Sequence, residues 1–343
     1  MTPDVSIIVV SYNDAADLPV SVGSALAQLG VSVEVVVVDN DSEDDSAALA
    51  KTLGARVIEL AENVGFAAAM NAGIHATRGR YVLALNPDCR LEENFSAVLA
   101  SRLDARPDVG SASGRLLRAG GPELRATGIL DSAGIFFTAA GRHFDRGSGE
   151  PANGRFLEEE EVAGASGAAG FYRREALEGA KISTGYFDAD FFLYREDADL
   201  AWRLSRLGWK CLYVPSAVAA HRRRNLPERR SAMPALINLH SVKNRFLLRI
   251  NNQTGTEALR TLLPTAARDL VVLGACLTVE RTSLPAFSWE GASRRRAPAC
   301  LRRSGSPARL SPGTWPCRSR LRGAPGGGPP AAGIASESLD GGS

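Results

Sequence analysis

Lysine is nearly missing from this chain of 343 residues: of its 40 cationic side chains, 36 are arginine. Residues 1–50 hold nine carboxylates and no lysine or arginine before Lys51, so the amino-terminal part has nothing with which to grip a phosphate backbone. Aromatic residues amount to 6% and are not interleaved with the arginine-rich segments, which argues against a stacking groove for nucleic acid. No Gly-x-Gly-x-x-Gly follows the first apolar run, and no Gly-x-x-x-x-Gly-Lys-Ser/Thr occurs anywhere, so neither dinucleotide nor P-loop chemistry is supported. The five cysteines, Cys89, Cys211, Cys276, Cys300 and Cys317, form no Cys-x-x-Cys pair, and no histidine sits beside them at metal-ligand spacing. That usage suits a reducing, cytoplasmic compartment. The longest lipid candidate, Leu270 to Val279, is ten residues, against the roughly 20 a spanning helix needs. The apolar run at Val5 has no basic segment before it and no small-residue cleavage site after it, so a secretory signal is not expected.

What remains is ordinary globular material, 45% hydrophobic and 23% charged. Val5 to Val10 and Val33 to Val38 are short β-branched runs that end in polar clusters, as strands buried on both faces of a parallel sheet do. Between them Leu18, Val22, Ala25, Leu26 and Leu29 mark a helix stripe over 14–29, with Asp14 as its plausible cap. The alternation continues with helix 43–53, strand 56–60, helix 66–76, strand 81–85, helix 92–103 and strand 109–114. It predicts a doubly wound α/β sheet with ligands at the carboxyl ends of its strands. From Arg115 the rhythm gives way to Gly-rich, shorter extended pieces, read as added antiparallel elements. A helix over 196–207, a strand pair at 211–214 and 217–220, and helices over 235–250 and 257–280 follow, the last interrupted or started by Pro264. From about Pro285 the chain turns to Arg, Pro, Gly and Ser without period. Nine arginines lie between Arg294 and Arg322, and a disordered tail is expected there.

The polar clusters carry the chemistry. Ser11-Tyr12-Asn13 and Asp39-Asn40 end the first two strands, where a nucleotide base or ribose can be met, although Asp39 could equally cap the next helix. Asn63-Val-Gly65-Phe66 with Asn71 puts amides and glycines around a helix start that favours anions, or else forms a tight turn over a buried amide. Asn86-Pro-Asp88 offers a carboxylate to a divalent cation, of the kind that keeps substrate phosphates as further ligands, or caps a helix. Gly167 lies in a small-residue loop that would border a pocket. Glu196, Asp197 and Asp199 open a helix, where acids are stabilised by its dipole; one of them, among aromatics and other acids, could serve as a general base. His221 is followed by Arg222, Arg223 and Arg224, which with Arg229 and Arg230 either close over a diphosphate or form a solvated loop.

Taken in order, Val5 to Asn13, Val36 to Asn40, Glu62 to Phe66 with Asn71, Asn86-Pro-Asp88, Gly167, Phe187 to Tyr194 and Glu196 to Asp199 resemble family-2 glycosyltransferases over about residues 4–284. The branch they most resemble is that of bacterial rhamnosyltransferases building cell-wall and surface polysaccharide. The resemblance implies a GT-A fold, a nucleotide-diphosphate sugar donor, a divalent metal (Mg²⁺ or Mn²⁺) and inversion at the anomeric carbon. It makes Asp197 the general base, and Glu196, Asp199 and Gly167 acceptor-binding. Ser11, Tyr12, Asn13, Asp39, Asn40, Asn63, Gly65, Asn71 and Asn86 become nucleotide-sugar-binding, and Asp88 and His221 metal ligands. Asn86 stands in place of the first Asp of the family's Asp-x-Asp. The implied donor is dTDP-L-rhamnose, with UDP-galactofuranose or UDP-glucose as alternatives, and the acceptor a polysaccharide or lipid-linked glycan; a non-catalytic sugar-nucleotide-binding subunit is the rival reading. On this basis residues 1–230 are the catalytic domain, 231–284 a helical extension and 285–343 the tail. The extension is expected to pack on the core rather than rest on the inner face of the cell membrane, where the tail's charge would suit anionic lipid.

Overall fold

The computed structural model describes residues 2–224 and 233–287. Arg229, Arg230 and nearly all of the tail expected from residue 285 lie outside the described residues.

β1 (Val5–Ser11), β2 (Val33–Asp39), β3 (Arg56–Glu59) and β4 (Tyr81–Leu85) pair in parallel in the order β3-β2-β1-β4, with Val5 facing both Val33 and Tyr81. β11 (Ala169–Arg173) lies antiparallel between β4 and β6 (Val109–Gly120), and β12 (Lys210–His221) runs parallel to β6. Shorter strands, β5 (Cys89–Leu91), β7 (Arg125–Ser132) and β10 (Glu160–Val162), complete this mixed sheet from the antiparallel side. A separate hairpin joins β8 (Ile135–Phe137) to β9 (His143–Asp145).

Alternate residues of β1 explain why its run is apolar throughout. Ile7 and Val9 face α1 (Leu18–Leu26) and α4 (Phe95–Ala105), packing with Val22, Phe95 and Leu99, while α2 (Ser46–Thr52) covers the same side through Ala50. Ile8 and Val10 face the other layer, α3 (Phe66–His75), α5 (Arg174–Ala180) and α6 (Glu196–Arg206), with Met70, Leu177 and Leu200. A branched side chain buried this way stabilises the fold by about 1.5–3 kcal/mol. On β1 the polar residues lie near its two ends, at Ser6 and Ser11.

Two local expectations differ from the structure, and the interruption expected near Pro264 is found. α1 begins at Leu18 with Asp17 at its cap position, because the Asp14 carboxylate is engaged by the Tyr12 backbone N–H at 3.1 Å and by Arg224 at 2.8 Å. The strand pair near residue 215 is one strand, β12, with its register shifted between Val214 and Val218, where Pro215 cannot donate to the ladder. The helix expected over 257–280 is two: α8 (Gly255–Arg260), opened by a Thr254–Glu257 capping box, and α9 (Leu262–Thr278). The ring of Pro264 would clash with the carbonyl of Arg260, so α8 stops there. Both follow α7 (Ala235–Asn252). Among the described residues no helix is long and apolar enough to cross a membrane.

Gly73 lets α3 approach β1 closely: a Cβ there would run into Ile8 Cγ2, with Val38 Cγ2 at 3.1 Å. Gly73→Ala is expected to lower stability by about 1–3 kcal/mol through overpacking, read as a lower urea midpoint at unchanged slope. A raised midpoint would contradict this packing.

Candidate active site

A cavity of about 520 Å³ opens at the carboxyl ends of β1, β2 and β4 and is closed in by the start of α6 and the β8–β9 hairpin. Ten of the residues singled out in the sequence line it: Tyr12, Asn40, Asn63, Gly65, Asn86, Asp88, Gly167, Glu196, Asp197 and His221. Five do not. Ser11 and Asp39 are buried beneath it, and Asn13 is exposed beside it, its Oδ1 accepting from Glu43 N–H. Asn71 spends its amide on the backbone of residues 184–187, accepting from Tyr186 and Phe187 N–H and donating to Thr184 and Phe187 carbonyls.

Asp199 is the fifth. It lies two residues from Asp197 on one helix, about 200° around the axis, and so faces inward. There Arg203 Nε meets it at 2.8 Å and Asn252 Nδ2 at 2.7 Å.

On the β1–β2 side the Tyr12 ring is 46% exposed, free to meet a planar ligand. Asn40 and Asn63 stiffen the next wall: Asn40 Nδ2 donates to Asn63 Oδ1 at 2.9 Å, and each side chain also accepts a backbone N–H, from Val64 and Gly65 respectively. Gly65 has φ +82°, and a Cβ there would meet the Phe192 ring at 2.5 Å. Glycine is required on both counts.

The floor beside β4 is ionic. His221 ends β12 between two carboxylates, its Nδ1 2.8 Å from Asp131 and its Nε2 3.3 Å from Asp88, with Asn86 Nδ2 3.4 Å from the same Nε2. Burial disfavours the imidazolium, but the bonds to Asp131 and Asp88 outweigh it and push the pKa up to about 9. Burial likewise works against the Asp88 carboxylate, and His221 and Arg224 overcome it, holding its pKa below the usual range. The three arginines after His221 are paired, Arg222 with Asp17, Arg223 with Asp131 and Asp145, Arg224 with Asp14 and Asp17; Arg224 stays exposed, and it and Arg223 line the cavity.

The residues here fit a divalent cation as an incomplete site. Asp88 and His221 converge on one cavity, and Asp131 holds the far ring nitrogen, as carboxylates do behind metal-bound histidines. No group of three or more His, Cys, Asp or Glu that could hold a metal occurs among the described residues, so most ligands would come from substrate or water.

Asp197 faces the cavity from the first turn of α6. Its Oδ2 accepts Gly167 N–H at 3.0 Å and its Oδ1 accepts Ala198 N–H at 2.7 Å, which fixes the orientation of the carboxyl group. Burial, reinforced by the charge of Asp197, raises the pKa of neighbouring Glu196. The preceding loop is strained, with Phe192, Tyr194 and Arg195 at φ +64°, +67° and +72°. Asn244 of α7 pins it by donating to the carbonyls of Phe191, Leu193 and Tyr194 at 2.8, 2.7 and 2.9 Å.

Of the carboxylates and imidazoles that line the cavity, Asp14, His143 and Asp145 carried no signal as cavity groups in the sequence. Arg195 Nη1 lies 3.3 Å from His143 Nδ1. Because arginine only donates, a hydrogen bond there has Nδ1 as its acceptor, and burial lowers the pKa of the ring.

The family model described as glycosyl transferase family 2 matches residues 6–179. The succinoglycan biosynthesis protein ExoO of Rhizobium meliloti (strain 1021) is 40% identical over 127 residues, covering 34% of this chain and 36% of its own. An N-acetylglucosaminyl-diphospho-decaprenol L-rhamnosyltransferase of Mycobacterium tuberculosis is 28% identical over 242 residues, 64% of this chain and 76% of its own. The match spans about a third of the length of the first curated relatives. Among solved structures, GalNAc-T7 with UDP, GalNAc and Mn²⁺ superposes with a TM-score of 0.56 at 15% identity, over 72% of this chain and 48% of that one. The shared fold is GT-A.

Asp199→Ala is expected to destabilise the chain by about 3–5 kcal/mol, because Arg203 would be left buried and unpaired. Chemical denaturation checks this, and unchanged stability would return Asp199 to the cavity.

Proposed function

Because the chain belongs to glycosyl transferase family 2, we propose that it transfers a glycosyl unit from a nucleoside-diphosphate sugar to a hydroxyl of a polysaccharide or lipid-linked glycan. The observation that carries this reading is a single cavity lined both by the Asp88–His221 pair and by the Asp197 carboxylate.

In this reading the acceptor oxygen bonds to the anomeric carbon as the bond to the diphosphate breaks, with inversion. The nucleoside diphosphate leaves with the electron pair, and the hydroxyl proton passes to the Asp197 carboxylate. Gly167 N–H and the α6 amino terminus orient Asp197. Glu196, whose burial favours the protonated form, donates a hydrogen bond to the acceptor. Tyr12, Asn40 and Asn63 receive the nucleoside, and Asn86 the sugar or diphosphate. Ser11, Asn13, Asp39 and Asn71 act from behind by fixing the strand ends and α3. Asp88 and His221 would hold a divalent cation, which neutralises charge on the leaving diphosphate when bound.

L-rhamnose from a dTDP donor is the proposed sugar, supported by the mycobacterial rhamnosyltransferase that aligns with 64% of this chain. A thermal-shift panel of nucleotide sugars with Mg²⁺ or Mn²⁺ tests that choice, and a selective response to a UDP-sugar would replace it.

Two variants test the site. Asp197→Asn should keep donor binding yet lose transfer by about 10²- to 10⁴-fold, the usual worth of a positioned base; full turnover would remove the assignment, and lost donor binding would move Asp197 to the donor side. Asp88→Ala should lose the metal-dependent part of donor affinity by calorimetry. A titration of dTDP-rhamnose with Mg²⁺ that matches the parent would contradict the role given to Asp88.

A further inference from the structure

α9 is amphipathic the wrong way round for a helix packed on a protein core. Leu263, Leu270 and Leu277, seven residues apart, are 81%, 69% and 52% exposed, with Val271 at 59% beside them. No charged side chain lies along that stripe. The charge is turned inward instead: Asp269 accepts from Arg245 Nε at 3.0 Å and Arg249 Nη2 at 2.8 Å, both on α7. Within α9 only Cys276 is buried, against Val242 of α7. The expectation that this segment packs on the core thus holds for one edge alone. Asp269 fixes the rotation of the helix, so the leucines cannot turn in without breaking two half-buried ion pairs. An apolar stripe about 21 Å long from Leu263 to Leu277 results, too much to leave in water without a partner.

We propose that this face of α9 docks in the plane of an anionic lipid bilayer. Two features select lipid over a second copy of the chain. Cations flank the stripe, with Arg260 before α9 and Arg281 after it both exposed; of the nearby acids, Glu257 and Asp269 are neutralised by Arg206 and by Arg245 and Arg249, and Glu280, beside Arg281, accepts from the Ser283 hydroxyl. The chain that continues past Phe287 carries nine arginines from Arg294 to Arg322 and only three acids, Glu290, Glu337 and Asp340. Two such cationic segments brought together in a dimer repel each other, whereas a surface of acidic headgroups attracts both the flanks and the tail. With its leucines in the acyl boundary and its arginines at headgroup level, α9 has the form of an interfacial helix.

The cavity is one helix layer away, since Ser241 of α7 lines it and the next residue, Val242, packs on Cys276 of α9. Resting on glycosyl transfer as read above, the docking makes the acceptor a glycan held at the membrane by its lipid.

The full chain should co-float with phosphatidylglycerol-rich vesicles and not with phosphatidylcholine vesicles. The double variant L263E/L270E should lose binding by about tenfold or more while its donor affinity stays that of the parent. Both positions are exposed, so the fold tolerates the change. Absence of flotation by the parent chain would overturn the proposal, as would a dimer in sedimentation that the same double variant dissociates, which would assign the face to a second copy. Normal flotation by a chain that transfers no sugar would leave the docking standing and remove the enzymatic reading.

Discussion

The imidazole of His221 joins three distant parts of the chain, and the ionic wall of the cavity is built outward from it. Asp88 ends the turn after β4, Asp131 closes β7, and His221 ends β12; without the ring Asp88 would lose its hydrogen-bonded counter-charge and Asp131 would keep only Arg223. The alternation continues through Arg223 to Asp145 and through Arg224 to Asp14 and Asp17. Five carboxylates thus meet three arginines and one imidazole. Among the described residues this wall has no surplus cation for a diphosphate, which is why the proposed function gives the leaving-group charge to a divalent ion rather than to Arg222, Arg223 and Arg224.

The strands were legible because both faces of the sheet are buried, so their sequences are apolar without alternation. The motifs at the strand ends were legible for the complementary reason: a polar cluster directly after such a run has nowhere to go but the carboxyl edge. Legibility stopped where a partner lies far along the chain. Asp14 looks like a helix cap until Arg224, 210 residues later, is seen beside it. His143 and Asp145 stand in a segment without hydrophobic period, and only the hairpin with Ile135 to Phe137 brings them to the cavity. Asp199 marks the opposite failure, since its fate was readable. Two positions along a helix from Asp197, it could not share the same face, and a motif match carried it into the site against that geometry.

Asn71 and Asn244 make a related point about amides. Each occupies a position where a ligand contact is easily imagined, yet each spends its side chain on backbone groups of segments 184–187 and 191–194 respectively. Together they hold the aromatic stretch between β11 and α6 from two sides. That stretch includes three non-glycine residues at positive φ, each costing on the order of 1–3 kcal/mol, and it would relax without such clamps. What the clamps preserve is the exit direction of the chain into α6, and so the aim of Asp197.

α7 is therefore a structural hinge point in the literal sense of bearing on both ends. Asn244 and Lys243 grip the loop that aims Asp197, the latter by donating to the Asp190 carbonyl at 2.8 Å. Ser241 lines the cavity, and Arg245 and Arg249 hold α9 with its leucines outward. Residues 241–249 are consecutive turns of one rigid helix, so the loop and the apolar face cannot shift independently by much. On the proposed reading, a force that seats α9 against a surface is borne by the same helix that sets the position of the Asp197 carboxylate, so acceptor approach and the orientation of the proposed base fall under one mechanical constraint.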